Sequence, residues 1–190
     1  YLGPTTFRDG VRRYLVDHQF GNAETSDLWR ALGAVSSEPI PAIMDGWILR
    51  PGYPIVTVTS DDPGGTLCFS QRRFTYLASA AGAFQLWQIP INFRVRVNGE
   101  VRSMRLLLSS TEERVALPGR LDWLVANEGG HGFYRVRYAP ALLSRLADTP
   151  SDILTPVERF NLVNDAWASA LAGLSSLGEY LDLTARFRDE

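Results

Sequence analysis

The two histidines are the first residues to test for chemistry, because imidazole serves both as a metal ligand and as a general base. His18 follows a helical pattern and has no neighbouring glutamate. The sequence contains no H-E-x-x-H, the helical motif that places two histidines on zinc beside a glutamate base. We therefore predict that His18 ends a helix, where its ring interacts favourably with the helix dipole.

The second histidine lies in a glycine-rich stretch, Glu128-Gly129-Gly130-His131-Gly132. A phosphate-binding loop follows a strand and opens a helix. Here a strand pattern comes after the glycines instead. This order indicates a plain turn around His131 rather than a phosphate site.

Cys68 is the only cysteine, which excludes an internal disulfide and a multi-cysteine zinc site. It lies in a strand pattern between Leu67 and Phe69, and no histidine is near it in sequence. A cysteine nucleophile needs an activating base. We therefore predict that Cys68 is a small buried apolar residue.

Adjacent acids and regularly spaced arginines are the remaining candidates. Asp61-Asp62 and Glu112-Glu113 are predicted to be solvated turn acids, and not an acid–base pair or a calcium site. Four arginines could line the polar faces of two paired strands, either as an anion-binding stripe or as a solvated face balanced by Glu100; they are Arg94, Arg96, Arg102 and Arg105. No catalytic, cofactor-binding or metal-ligating residue is assigned in this chain.

The elements that hold these residues change in type along the chain. Residues 1–50 have helical spacing, with Thr5 or Thr6 and then Thr25 or Ser26 as possible N-caps. From Ile55 the period becomes two, and residues 87–97 alternate strictly between apolar and polar. Pro90 within that run should lie at an edge, a bulge or an unpaired position.

Further signals complete the β-rich part. Asn98-Gly99 is a strong hairpin signal, and strands are predicted at 55–59, 66–76, 101–109, 123–126 and 132–138. About seven short strands are typical of a sandwich. The fold class is therefore a multi-segment α + β chain: helices, then an antiparallel immunoglobulin-like β-sandwich, then helices.

Helical spacing returns after Tyr138. Two capping-box patterns, Thr155 with Glu158 and Ser176 with Glu179, open helices, and Gly173 can end the first of them. An apolar stripe of Val157, Phe160, Val163, Trp167 and Leu171 needs something to pack against. We expect both ends of the chain to be pieces of domains that continue beyond it, and the missing initiator methionine fits that expectation.

The order of these signals resembles the zinc aminopeptidases of the aminopeptidase N and puromycin-sensitive type. The stretches that carry the resemblance are 7–10, 18–23, 25–32, 44–48, 51–58, 71–74, 87–91, 127–129, 132–138 and 159–167. The resemblance implies three parts: residues 1–50 as the end of a thermolysin-like catalytic domain, 51–138 as a β-sandwich and 139–190 as the first helices of a C-terminal domain.

The resemblance implies a zinc ion that is held by H-E-x-x-H and a further glutamate, and a tyrosine that stabilises the transition state. All of these would lie upstream of this chain, so none is carried over to a residue here. The expected function is a non-catalytic spacer in a parent enzyme that removes N-terminal residues from peptides. The alternative is a β-sandwich interaction module whose parent has no peptidase activity.

Composition limits the partners. The net charge of -2 argues against nucleic acid and a polybasic membrane contact, and no apolar run is long enough to span a bilayer. The expected partners are the flanking domains of the parent and its peptide substrates. We also expect self-association of the segment through exposed apolar stripes, and the absence of disulfides favours a cytoplasmic location.

Overall fold

A computed structural model describes residues 1–61, 65–77, 85–148 and 153–187. The chain divides into two compact units, Tyr1–Pro51 and Gly52–Glu190. Within the described ranges, no helix combines the length and apolar character that crossing a bilayer requires.

The first unit contains three helices, α1 Pro4–Asp17, α2 Thr25–Gly33 and α3 Ile40–Ile48. The predicted threonine and serine caps are wrong. Gly3 is the N-cap of α1, and Glu24 caps α2 in a capping box with Asp27. Gly10 allows α1 to approach α2 closely, because a Cβ there would lie 2.6 Å from Cδ2 of Leu32.

The second unit begins with the predicted sandwich of two sheets. One has the strand order β5-β2-β1-β7 and the other β4-β3-β6. The strands are β1 Pro54–Asp61, β2 Thr66–Arg73, β3 Ile89–Val97, β4 Glu100–Leu108, β5 Glu112–Ala116, β6 Leu121–Val125 and β7 Arg135–Tyr138.

The alternation in β3 sends one set of side chains into the space between the sheets. Ile89, Ile91, Phe93 and Val95 are fully buried there. The ring of Phe93 lies 5.1 Å from that of Phe69 in the facing sheet, measured between centroids. Burial of this apolar face is the main stabilisation of the sandwich.

Local turn chemistry in β3 is as predicted. Asn98 and Gly99 have φ of 51° and 84° and form the two-residue turn between β3 and β4. Pro90 pairs with Leu107 of β4, whereas the pairing of β3 with β6 covers only residues 94–97. The proline therefore lies where β3 has a single neighbouring strand, as its missing N–H requires.

Two details of the sandwich differ from the prediction. Glu112 and Glu113 are not turn residues but begin β5, which pairs with β2. The sandwich is also not wholly antiparallel, because β7 pairs parallel to β1.

In the described part of the chain after β7, the α-helices are α4 Pro140–Ala147, α5 Pro156–Leu171 and α6 Leu177–Thr184. Both predicted capping boxes are confirmed. Gly173, at φ 68°, ends α5 as predicted. A core of side chains from β6, these helices and the segment just before α5 includes Trp123, Val125, Leu146, Leu154, Leu162 and Leu183.

Candidate functional site at the sandwich–helix junction

The buried side of α5 carries acids as well as apolar residues. Its buried members are Glu158, Leu162, Asp165, Ala168 and Ser169. A helix normally turns an apolar stripe toward the core. Two carboxylates on this side must therefore find charged or N–H partners, since an unpaired buried charge is costly.

Glu158 joins three parts of the second unit. Its Oε1 accepts from the N–H of Gly129 at 2.8 Å, and its Oε2 accepts from the N–H of Thr155 at 2.8 Å. Nη2 of Arg94 donates to Oε2 at 3.1 Å. Burial opposes ionisation of Glu158, but these donors outweigh it and lower the pKa of the carboxyl.

Arg94 brings the central strand β3 into the same network. Its Nη2 also donates to the carbonyl of Ile153 at 2.8 Å, and its Nη1 lies 3.6 Å from Oε1 of Glu128. The guanidinium lies 5.9 Å from the centroid of the Trp123 ring. Arg94 is therefore bound from several sides and is not available to an external anion.

Asp165, two turns further along α5, binds the edge of the other sheet. Its Oδ2 accepts from the N–H of Val136 in β7 at 2.9 Å, and its Oδ1 accepts from Nη1 of Arg135 at 2.9 Å. Because β7 is an edge strand, this carboxylate satisfies an N–H that no strand can reach. Burial nevertheless dominates and raises the pKa of Asp165 to about 6.

The glycine-rich stretch lies beside α5, and neighbouring side chains hold it by bonding its backbone groups. Asn127 binds both the N–H and the carbonyl of Gly132, at 2.9 and 3.2 Å. The hydroxyl of Tyr134 donates to the carbonyl of Ala126 at 3.0 Å. The hydroxyl of Tyr138 accepts from the N–H of Ala126 at 2.8 Å. Burial raises the pKa of both tyrosines, so they stay neutral hydrogen-bonding groups.

The histidines lie apart from these acids. His18 caps the C-terminus of α1 as predicted, with Nδ1 3.0 Å from the carbonyl of Tyr14 and Nε2 3.2 Å from Oδ2 of Asp27. The N–H of Glu24, with Arg30 and His18, lowers the pKa of Asp27. His131 follows a short 3₁₀ turn, and the strand β7 comes after it, so the predicted order of a glycine-rich turn before a strand is confirmed.

The prediction that Cys68 is buried is wrong. It is half-buried in β2, opposite Thr59 and Arg114 on the outer side of the sheet. Partial burial and the nearby Glu112 raise the pKa of its thiol. A raised pKa disfavours the thiolate that nucleophilic chemistry needs.

The remaining candidates form ion pairs. Asp61 lies 3.5 Å from Arg114, and Asp62 lies outside the described residues. The four arginines do not form one stripe: Arg102 pairs across the sheet with buried Val95 and bonds Glu100, on the opposite side from Arg94. This arrangement fits a sheet face whose arginines are balanced by Glu100 and nearby acids, and not the anion-binding stripe.

The zinc that the resemblance implies does not fit the described residues of this chain. Among the described residues, no three His, Cys, Asp or Glu side chains come together as a metal-binding group. Both ring nitrogens of His18 face protein oxygens.

Sequence reasoning identified Glu158 only as part of a capping box and did not identify Asp165. A signal was present: the two acids are seven residues apart, which places them on one side of a helix, opposite the stripe of Phe160 and Trp167. That stripe, taken as the packing side, is largely exposed. Phe160 is 66% and Trp167 42% exposed.

Comparisons with known proteins agree with this arrangement. The model described as the peptidase family M1 domain matches residues 1–47, and the ERAP1-like C-terminal domain matches 123–190. The probable aminopeptidase 1 of Sulfurisphaera tokodaii is 37% identical over 187 residues, which cover 98% of this chain and 22% of the relative. The puromycin-sensitive aminopeptidase of Caenorhabditis elegans is 32% identical over 190 residues, 97% of this chain and 20% of the relative.

Aminopeptidase M1 of Arabidopsis thaliana is 31% identical over 204 aligned residues, with 100% of this chain and 23% of the relative covered. The chain thus spans about a fifth of the length of the curated relatives it matches. The predicted resemblance is confirmed. The chain belongs to peptidase family M1, as a segment that runs from the M1 domain into the ERAP1-like C-terminal domain.

Proposed function

We propose that this chain is a non-catalytic spacer in an aminopeptidase, joining the catalytic domain to a C-terminal helical domain. The observation that carries the proposal is that the two ends match different domains of the family while a β-sandwich lies between them. Residues 1–50 would close the catalytic domain, 51–138 form the sandwich and 139–190 begin the helical domain.

The junction supports the idea that the spacer is stiff. Glu158 and Asp165 bind α5 to both sheets through Arg94 and Arg135. The sandwich and the following helices lie in one compact unit, Gly52–Glu190. A spacer of this kind would hold the helical domain at a fixed orientation relative to the sandwich.

The parent's chemistry is part of the same proposal. Relatives named as aminopeptidases support a parent that removes N-terminal residues from peptides. The zinc and its H-E-x-x-H would belong to residues outside this sequence. We also propose a cytoplasmic location for the parent, because Cys68 is the only cysteine of the chain.

Exposed apolar surface suggests where the parent's other domains bind. The outer side of α5 carries Phe160, Trp167 and Leu171, each between 42% and 66% exposed. Contiguous apolar surface of this kind usually marks an interface. We propose that it packs against the downstream part of the helical domain.

The proposal is tested by assaying the purified 190-residue chain with an aminoacyl-arylamide substrate and added zinc. No turnover is expected, whereas the parent protein assayed in parallel should cleave the substrate. Turnover by the segment would refute the non-catalytic role. Reading the parent's coding sequence for H-E-x-x-H on the N-terminal side tests the aminopeptidase assignment separately.

The exposed stripe predicts that the isolated segment associates with itself. Sedimentation velocity should show a mass that rises with concentration, and the double variant Phe160→Ser/Trp167→Ser should shift the chain toward monomer. Val101→Ser, an exposed apolar residue in β4, serves as the control. A monomer at high concentration that binds no apolar dye would contradict the prediction.

A further inference from the structure

A cleft of about 310 Å³ lies between the glycine-rich stretch and α5. We call it the amide cleft, since Asn127, Asn161 and Asn164 line it together with Tyr53 and Phe133. Its volume is at the lower end of the range of about 300–1,000 Å³ that is usual for small-ligand sites. No local sequence pattern predicts this cleft, because its residues come from three separate parts of the chain.

The charged residues of the amide cleft neutralise each other. Arg135 and Asp165 both line it, and their side chains form an ion pair at 2.9 Å. A charged ligand would have to compete with that pair, whereas a neutral polar ligand would leave it intact. The other lining residues are uncharged.

The carboxamides differ in how fully they are used. Both polar atoms of the Asn127 side chain are hydrogen-bonded to Gly132. Asn161 makes one long contact, 3.4 Å from Nδ2 to the carbonyl of Gly130, and Asn164 accepts from Arg135 through Oδ1. Each carboxamide can donate two hydrogen bonds and accept two. The contacts among described residues therefore leave donors and acceptors on two side chains three residues apart, which share one side of α5.

Apolar surface borders the same cleft. Phe133 is 72% exposed, and its ring lies 5.7 Å from that of Tyr53. Val157 is 52% exposed and lies close to Gly130: a Cβ built on Gly130 would be 2.6 Å from Cγ1 of Val157. The polar residues of the amide cleft are thus bordered by one aromatic ring and one aliphatic side chain.

We propose that the amide cleft binds a short, uncharged peptide segment. Asn161 and Asn164 bond its backbone N–H and C=O groups, and an apolar side chain of the ligand covers Phe133 or Val157. A saccharide shares the affinity for carboxamides, but it would place hydroxyl groups against Val157. The proposal concerns this chain's own residues and stands whether or not the parent cleaves peptides.

The test is an NMR titration of the ¹⁵N-labelled chain that follows the side-chain amide signals of Asn161 and Asn164. The probes are N-acetyl-phenylalanyl-leucinamide, N-acetyl-glycyl-glycinamide and maltotriose. The first should shift both signals saturably and more tightly than the second, and maltotriose should leave them unchanged. Asn161→Ala should weaken the Kd by about three- to tenfold, the equivalent of one hydrogen bond.

Phe133→Ala should weaken binding by a similar factor, whereas Leu177→Ala, an exposed residue of α6 outside the cleft, should not. Circular dichroism of each variant checks that the fold is retained. The proposal is overturned if the blocked dipeptide causes no saturable shift, if only maltotriose does, or if both cleft variants bind the dipeptide as tightly as the unmodified chain.

Discussion

Glu158 and Asp165 lie on the same side of α5, and each pairs with an arginine of the sandwich, yet their carboxyl groups respond in opposite ways. The pKa of Glu158 is lowered, and that of Asp165 is raised to about 6. Burial opposes the charge in both places. Glu158 accepts from two backbone N–H groups besides Arg94, whereas Asp165 accepts from one besides Arg135.

The difference teaches that an ion pair alone does not settle whether a buried acid is ionised. Backbone N–H donors are already fixed by the fold, so each one that faces a carboxylate stabilises the charge without further ordering. The start of α5 supplies one such donor at Thr155, and the turn at Gly129 supplies the second. Asp165, in the middle of the helix, has neither.

The comparison is broken most strongly by Glu158→Gln. The glutamine has no charge to pair with Arg94, and only one of its two polar atoms can accept from the N–H groups of Gly129 and Thr155. The largely buried guanidinium of Arg94 is then left without its charged partner. The loss of one member of a buried pair costs about 3–5 kcal/mol. We expect the lower end in urea unfolding at neutral pH, because Arg94 keeps the carbonyl of Ile153.

Glu179→Gln is the matched control for that variant. Glu179 holds the same position in the capping box of α6, but it is exposed. Its replacement should change the free energy of unfolding by about 0.5 kcal/mol or less. Equal effects of the two variants would mean that Glu158 acts only as a helix cap.

The second prediction concerns pH and Asp165. Its pKa is higher in the folded chain, about 6, than its ordinary value of 3.8. The folded chain therefore binds more protons between these values, and the free energy of unfolding should fall as the pH rises from about 4 to 6. The contribution is on the order of 2–3 kcal/mol, complete below pH 3.8 and lost above pH 6.

Asp165→Asn isolates this effect, because it keeps an oxygen for the N–H of Val136 and cannot titrate. Urea unfolding of both proteins across pH 4–7 should give curves that converge or cross toward neutral pH, with the unmodified chain the more stable at pH 4. Glu158 titrates in both, so its opposite contribution cancels in the difference. Parallel curves over that range would show that Asp165 stays ionised.

The smallest expected effects concern the N-cap residues of α5 and α6. Thr155→Ala and Ser176→Ala each remove a side-chain oxygen that accepts from the third residue of its helix. Each should cost about 1 kcal/mol in the same unfolding experiment. A difference well beyond 0.5 kcal/mol between them would place the special role at the cap and not at Glu158.

Features set by neighbours in sequence could be predicted here. The turn at Asn98-Gly99, both capping boxes and the alternation of β3 each depend on residues within a few positions. Their geometry is decided by local dihedral preferences and side-chain hydrogen bonds. The apolar and polar sides of β3 follow directly from its period of two.

Features set by distant partners could not be predicted. Residues 112–116 form a strand because β2 offers a ladder, not because their own pattern demands one. The parallel placement of β7 depends on how the chain crosses the sandwich. The roles of Asp165 and Arg135 arise only once α5 lies against the edge of β7, and no spacing rule contains that contact.

The parallel pairing of β1 with β7 also determines how the sandwich would respond to force. The chain enters the sheet at Pro54, at the start of β1, and leaves it at Tyr138, at the far end of the neighbouring β7. Tension applied to the two flanking segments would therefore slide these strands past each other and load their ladder hydrogen bonds together. Such shear resists extension better than the one-by-one peeling of a hairpin, so the strand pairing that was not predicted is also the one that would bear the mechanical load.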